Sequence, residues 1–273
     1  MTERVILFPT DFSERSLNAL NQAIAFAERF NDKMIIFHSY SRPFIKDASP
    51  SQTKSELLKL EQKIDEQFET IKSQHPELQK LNYEFRKEIG VSTEMISRIS
   101  KTEKIDLIIM ATKGARGLGE IWGTTSAKIV KLVDVPVLIV PDGSELMNMK
   151  KIGLACDYSE EVDYRKLAFL VEVAETQSLD IDVFSLNRDE KKMTSEELEH
   201  QTFVKKQLQS INTSFNFEFT HNIEDGVIDY CQSNKIGIMA IVPKSYTYIE
   251  RLFHESLTER MAFRSPIPLL VLK

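Results

Sequence analysis

Cysteine is almost missing from the 273 residues: Cys156 and Cys231 stand in separate apolar contexts, with no CxxC spacing. No disulfide framework follows from them, and the chain reads as a cytoplasmic one with both thiols as small core residues. An excess of positive charge is missing too. The net charge is −6, whereas neutralising nucleic-acid phosphate needs a basic surface. No apolar run approaches the roughly 20 residues that span a bilayer, and Met1-Thr2-Glu3-Arg4 has neither the basic start nor the apolar stretch of a signal peptide. Nucleic-acid and membrane partners are therefore not expected. The histidines (His38, His75, His200, His221 and His254) show no metal-ligand spacing. No glycine precedes a lysine and no Gly-x-Ser-x-Gly occurs, so the Walker A phosphate loop and the nucleophile elbow are both excluded.

What is present is a repeat. Val5-Ile6-Leu7-Phe8-Pro9-Thr10-Asp11-Phe12-Ser13 returns as Lys151-Ile152-Gly153-Leu154-Ala155-Cys156-Asp157-Tyr158-Ser159. Lys104–Met110 returns as Lys235–Ile241, and Val135–Val140 as Ile267–Leu272. Matches that keep their order imply a duplication. Its seam lies near Pro141–Met149, where Pro141-Asp142-Gly143-Ser144 carries turn chemistry. The expected domains are 1–143 and 149–273, in keeping with about 100–200 residues per domain.

Each half alternates strands with helices. Val5–Phe8, Met34–His38, Leu107–Met110 and Val135–Val140 are continuous apolar runs, the mark of parallel strands buried on both faces. Tyr83–Lys87 alternates and belongs nearer an edge. Beyond Ser13, a natural N-cap, Leu17, Leu20, Ala23, Ile24, Ala27 and Phe30 recur at helical spacing. Ser55–Ser73 predicts a second, charged helix. Met95, Ile96 and Ile99 predict a third, and Ala127, Val130 and Lys131 a fourth. Leu167, Leu170, Val171 and Ala174 repeat the first helix, and Leu198–Ile211 replaces the charged one. Right-handed crossovers between such elements give an α/β, doubly wound parallel sheet in each half.

Ligands of such sheets sit beyond the carboxyl ends of the strands. Pro9-Thr10-Asp11 ends there, and so does the stretch Ala111–Thr124, which holds Gly114, Gly117, Gly119 and Gly123 with Lys113 and Arg116. Glycines let backbone N–H groups approach an anion, and a helix starting near Thr124 would aim its positive end at it. A loop that needs only flexible turns is the other reading. Gly117, Gly119 and Gly123 give GxGxxxG after a late strand, which argues against a dinucleotide. For Asp11, capping the next helix is the default reading and binding a ligand the other. His38 ends a strand facing the site and reads as a hydrogen-bonded structural residue. Nothing demands catalysis.

Taken together, Pro9-Thr10-Asp11-Phe12-Ser13, the strand Asp106–Met110 running into a glycine loop, and Val135-Pro136-Val137-Leu138-Ile139-Val140 resemble the universal stress protein family, one family domain per half. The resemblance implies five-stranded parallel sheets and pairing of units through their last strands, satisfied here inside one chain, with a homodimer also open. It implies ATP or ADP, with or without Mg, bound by the first half. Pro9, Thr10 and Asp11 would meet adenine or ribose, with Ser39 beside the base. Ala111, Gly114, Arg116, Gly123, Thr124 and Thr125 would lie around the phosphates. Ala111 stands where the family's pattern has its first glycine, and eight residues rather than nine separate Gly114 from Gly123. In the second half Val242-Pro243-Lys244-Ser245 and His254-Glu255-Ser256 replace the loop, and proline there removes a donor. No nucleotide is expected in that half, where Tyr246, Tyr248, Phe253 and Phe263 would fill or pack the place. A stress-response regulator follows from the resemblance. A ligand-free interaction scaffold and a slow ATPase stand beside it.

Overall fold

The computed structural model describes residues 3–44, 46, 49–112, 124–146, 149–159, 162–187, 192–221, 223–243 and 267–273. The first half runs β1 (Val5–Pro9), α1 (Glu14–Phe30), β2 (Lys33–Tyr40), α2 (Pro50–Gln74), β3 (Tyr83–Ile89), α3 (Ser92–Thr102), β4 (Leu107–Ala111), α4 (Thr124–Leu132) and β5 (Val137–Val140). The second runs β6 (Lys151–Ala155), α5 (Tyr164–Gln177), β7 (Asp180–Asn187), α6 (Ser195–Gln207), β8 (Thr213–Phe219), α7 (Ile223–Ser233), β9 (Ile238–Ile241) and β10 (Leu269–Val271). All the strands belong to one sheet in the order β3-β2-β1-β4-β5-β10-β9-β6-β7-β8. Pairing is parallel within each half. At the junction β5 and β10 pair antiparallel, with Leu269 opposite Ile139, Leu270 opposite Leu138 and Val271 opposite Val137.

Alternate residues of each central strand enter opposite layers, because successive side chains of a strand point to opposite faces. Ile6 and Phe8 join Leu20, Ile64, Phe68, Leu167 and Val204 beneath α1, α2, α5 and α6. Leu7 joins Ile96, Ile129 and Ile228 beneath α3, α4 and α7. Both apolar layers continue through both halves.

The duplication repeats down to single backbone bonds. Lys33 N–H donates to Arg4 O as Asp180 N–H does to Lys150 O, and Asp106 N–H to Val5 O as Gly237 N–H does to Lys151 O. Asn31 and Ser178 both close their helices in the left-handed conformation, bonding back to Ala27 and Glu28, and to Ala174 and Glu175. Phe12 and Tyr158 also share a positive φ, 59° and 54°.

Several sequence-based boundaries move: β2 runs past His38 to Tyr40 and β3 past Lys87 to Ile89, and three other shifts have a local cause. The charged helix starts at Pro50, not Ser55, because Ser49 and Gln52 form a reciprocal capping box, which polar residues build without apolar periodicity. Thr194 and Glu197 do the same for α6, which begins at Ser195 and ends at Gln207 rather than running over Leu198–Ile211. Strand β5 starts at Val137, since Pro136 has no N–H to give and uses only its carbonyl, which accepts from Ile108. Cys156 and Cys231 form no disulfide with each other. Burial pushes the Cys231 thiol up to about 12.

Polar clamps join the halves. Arg4 binds Asp32 through Nε and a terminal nitrogen, both at 3.0 Å. The same guanidinium lies over Phe30 at 4.8 Å and Phe169 at 5.7 Å, and reaches Glu172 at 3.6 Å. Arg29 and Gln177 exchange bonds between the C-terminal turns of α1 and α5, at 2.5 and 2.9 Å.

Removing one member of a buried pair strands the other, at a cost of about 3–5 kcal/mol. Arg4→Met is expected to lose about that much stability in urea denaturation, and Arg4→Met/Asp32→Leu to recover most of it. Burial, working against Arg4, raises the Asp32 carboxyl from 3.8 to about 6. The stability this carboxyl contributes is therefore complete below pH 3.8 and lost as pH rises through about 6. Asp32→Asn should flatten the stability profile across that window, read from denaturation midpoints.

Candidate functional site

The end of β1 is a tightly bonded turn. Thr10, nearly buried, accepts at Oγ1 from Phe12 N–H and from the Ser16 hydroxyl, both at 3.0 Å. Asp11 Oδ1 accepts from Ser13 N–H at 3.0 Å and from the Ser13 hydroxyl at 2.6 Å. Ser13 in turn accepts from Ser16 N–H and is the N-cap of α1. The helix-capping reading of Asp11 is thus corrected: its carboxylate braces the cap two residues on and takes no N–H of the helix itself. Those bonds, with the Phe12 ring tilted on His38 at 4.4 Å and edge-on to Phe68 at 5.3 Å, hold Phe12 in its left-handed conformation, which a side chain of that bulk seldom adopts.

His38 does not end its strand as expected but lies two residues before the end of β2, and sets Nδ1 2.8 Å from Thr10 O. A carbonyl only accepts, so Nδ1 carries a proton and donates it to Thr10 O. The hydrogen-bonded role read from sequence is the one seen.

Thr10, Asp11, Ser13, Ser16 and His38 line a cavity of about 470 Å3 at the carboxyl ends of β1, β2 and β4, within the size range of small-molecule sites. Of the sequence-predicted residues, Pro9, Thr10, Asp11, Ser39, Ala111 and Thr125 lie on its wall. Thr124 opens α4, whose first turn, free of acidic residues, brings Thr125 and Ser126 to the cavity. Gly114, Arg116 and Gly123 lie outside the described residues. So do Lys244, Ser245, Tyr246, Tyr248, Phe253, His254, Glu255, Ser256 and Phe263 of the second half.

Sequence reasoning missed Glu14, Arg15 and Ser16, and also Ser92, Ile96 and Ile129. The first three follow from the cap at Ser13, since the opening turn of a helix that leaves a strand end must face what lies beyond that strand. Ser92 and Ile96 reach the wall because α3 packs beside α4, and no local pattern announces that. Among the described residues no group of three metal-ligating side chains gathers, and no helix is long and apolar enough to cross a membrane.

A doubly wound parallel sheet with a crevice beyond the carboxyl ends of its central strands is the arrangement in which open α/β proteins place their ligands. The model of the universal stress protein family matches residues 3–141, and this chain belongs to that family. It is 30% identical over 153 residues to a universal stress protein of Methanocaldococcus jannaschii, a match spanning 50% of this chain and 93% of that one. A second universal stress protein of the same organism is 30% identical over 140 residues, spanning 50% of this chain and 80% of its own. The crystal structure of a universal stress protein from Archaeoglobus fulgidus superposes with a TM-score of 0.71 at 17% identity, covering 100% of this chain and 99% of that one. That likeness extends the shared fold to the second half.

Thr10→Val keeps the shape of the side chain and leaves the Phe12 N–H, part-buried, and the Ser16 hydroxyl, buried, without this acceptor. A loss of about 1–3 kcal/mol is expected from chemical denaturation.

Proposed function

We propose that the first half binds one adenine nucleotide, ATP or ADP, and that the second half binds none. The observation carrying this reading is the 470 Å3 cavity, where residues expected around base, ribose and phosphate meet on one wall. The start of α4 suits the phosphates, because the first N–H groups of a helix have no partner within it and carry its positive dipole end. Hydroxyls of Thr10, Ser13, Ser39, Ser92, Thr125 and Ser126 supply donors and acceptors, and Arg15 a cation.

The backbone correspondence supports the asymmetry. It sets Cys156 in the place of Thr10, Leu186 in that of Ser39, Val242 in that of Ala111 and Pro243 in that of Thr112. Each exchange removes a polar group or a backbone donor, or adds bulk. The units are 1–143 and 149–273, and β5 against β10 serves as an internal pseudo-dimer contact, with a homodimer of the whole chain a further level of assembly. The protein acts as a stress-response regulator rather than an enzyme. Nucleotide occupancy changes its behaviour only as far as two conformations differ in affinity.

Calorimetric titration with Mg-ATP should give saturable binding at one site per chain. Thr125→Glu, which brings a carboxylate to the phosphate end, should weaken it at least about tenfold, ~1.4 kcal/mol. Gly114→Asp should abolish it. Two sites per chain would sink the asymmetry. No binding, with no nucleotide released on denaturation, would favour the scaffold reading that Ala111 invites.

A further inference from the structure

The sheet ends in two edge strands, β3 and β8, and they are not alike. The repeat aligns them residue by residue. The caps Asn31 and Ser178 match Met34 to Ile181, which lie opposite Tyr83 and Thr213. Ser214 therefore stands where β3 has Glu84, Asn216 where it has Arg86, Phe217 where it has Lys87 and Phe219 where it has Ile89. On β3 the charges are held in ion pairs: Glu84 with Lys33, Arg86 with Glu103, Lys87 with Asp65 and Glu88 with Arg98. Charged side chains are one means by which natural edges resist pairing with another chain. Of those four positions β8 keeps a charge at one, Glu218 in place of Glu88.

In their stead β8 carries a row of rings. Thr213, Phe215, Phe217 and Phe219 share one face, as alternate residues of a strand do. The helix over that face is shorter in the second half, 13 residues in α6 against 25 in α2. Phe85 of β3 stacks on Phe68 of α2 at 4.7 Å. Phe217 and Phe219 instead meet each other edge-on at 5.3 Å, and Phe219 is 44% exposed.

The backbone of β8 has a definite phase. Ile181 N–H donates to Asn212 O, and Thr220 N–H donates to Asn187 O. Alternate residues of a strand turn their N–H and C=O to opposite sides, so Ser214, Asn216 and Glu218 address β7. Thr213, Phe215, Phe217 and Phe219 turn theirs outward. Among the described residues no strand lies beyond β8.

We propose that β8 is the edge through which two copies of this chain pair, antiparallel about a two-fold axis at Asn216. That axis sets Phe215 opposite the second copy's Phe217 and Thr213 opposite its Phe219. All of these residues turn N–H and C=O outward, so each pair exchanges both backbone bonds. Ser214 falls opposite the second copy's Glu218, and no like charges meet. The same operation about Arg86 of β3 sets Glu84 opposite Glu88 and Arg86 opposite itself, and like charges directly opposite destabilise a sheet. Pairing β8 with β3 leaves the β3 charges facing mostly neutral residues, and such a head-to-tail contact does not close at two copies, whereas the two-fold contact does. The inference rests on the homodimer proposed above and gives it a surface. Strand β8 lies seven strands from β1, about 34 Å at the usual strand spacing, so the nucleotide cavity stays open in the pair.

Analytical ultracentrifugation of the full chain tests this. A reversible monomer–dimer equilibrium is expected, and Phe217→Lys, the residue of β3, should weaken it at least about tenfold. Ser214 is exposed and gives the sharper test. Ser214→Lys, set opposite Glu218, should tighten the dimer about threefold or more, and Ser214→Glu should loosen it by a like factor. Both effects should shrink in about 0.5 M salt. Damage to the fold could not move the constant in both directions. A chain that stays monomeric up to about 100 μM overturns the homodimer and this surface together. A dimer unmoved by either Ser214 variant overturns this surface alone, because pairing then uses another face. Species that keep growing beyond two copies overturn it as well, since a closed pair cannot grow.

Discussion

Everything in this molecule rests on the short antiparallel ladder between β5 and β10. Each half ends in a strand of aliphatic residues, Val137–Val140 and Leu269–Val271, that would otherwise be an open sheet edge. An apolar edge with unpaired N–H and C=O groups invites association with other chains. Pairing the two edges removes both at once and makes the two apolar layers continuous. Tethering the halves in one chain makes the pairing intramolecular, so it does not depend on protein concentration.

The clamps around that junction act differently from the ladder. Hydrophobic burial is non-directional and would tolerate some sliding of one half on the other. Arg4 does not tolerate it: a bidentate bond to Asp32, contacts to rings from both halves and an ion pair to Glu172 fix its position. Planar guanidinium suits this, since it stacks and bonds in a fixed fork where a lysine would offer a point charge.

Much of this was legible in the sequence, for a physical reason. Strands β1, β4 and β5 are buried on both faces, so their sequences are nearly pure aliphatic runs. Strand β7 is buried too, yet it escaped notice, because Asp182 sits in its middle. That carboxylate is 1% exposed and is satisfied by Asn216 at 2.7 Å, the Tyr230 hydroxyl at 2.8 Å and Lys151 at 3.6 Å. A buried charge is tolerated only with such partners, and they come from β8, α7 and β6, all distant in sequence. Burial, aided by Asp182, holds the Tyr230 hydroxyl well above its ordinary value. At the candidate site, residues at strand ends could be read from sequence. Those supplied by α3 could not, because only packing brings that helix to the wall.

The antiparallel junction also gives the molecule a polarity. It turns the second half over, so the carboxyl edge of one half lies beside the amino edge of the other. The cavity beyond Ala111 and a smaller one, of about 320 Å3 and lined by Arg4, Asp106 and Phe169, therefore open on opposite rims of the same sheet, at the two ends of β4. Five residues of extended chain, about 17 Å, separate them. Between the rims runs a hydrogen-bonded strand buried on both faces, which behaves as a strut and not as a hinge. Any displacement passing from one rim to the other would have to travel along that strut as a small axial shift.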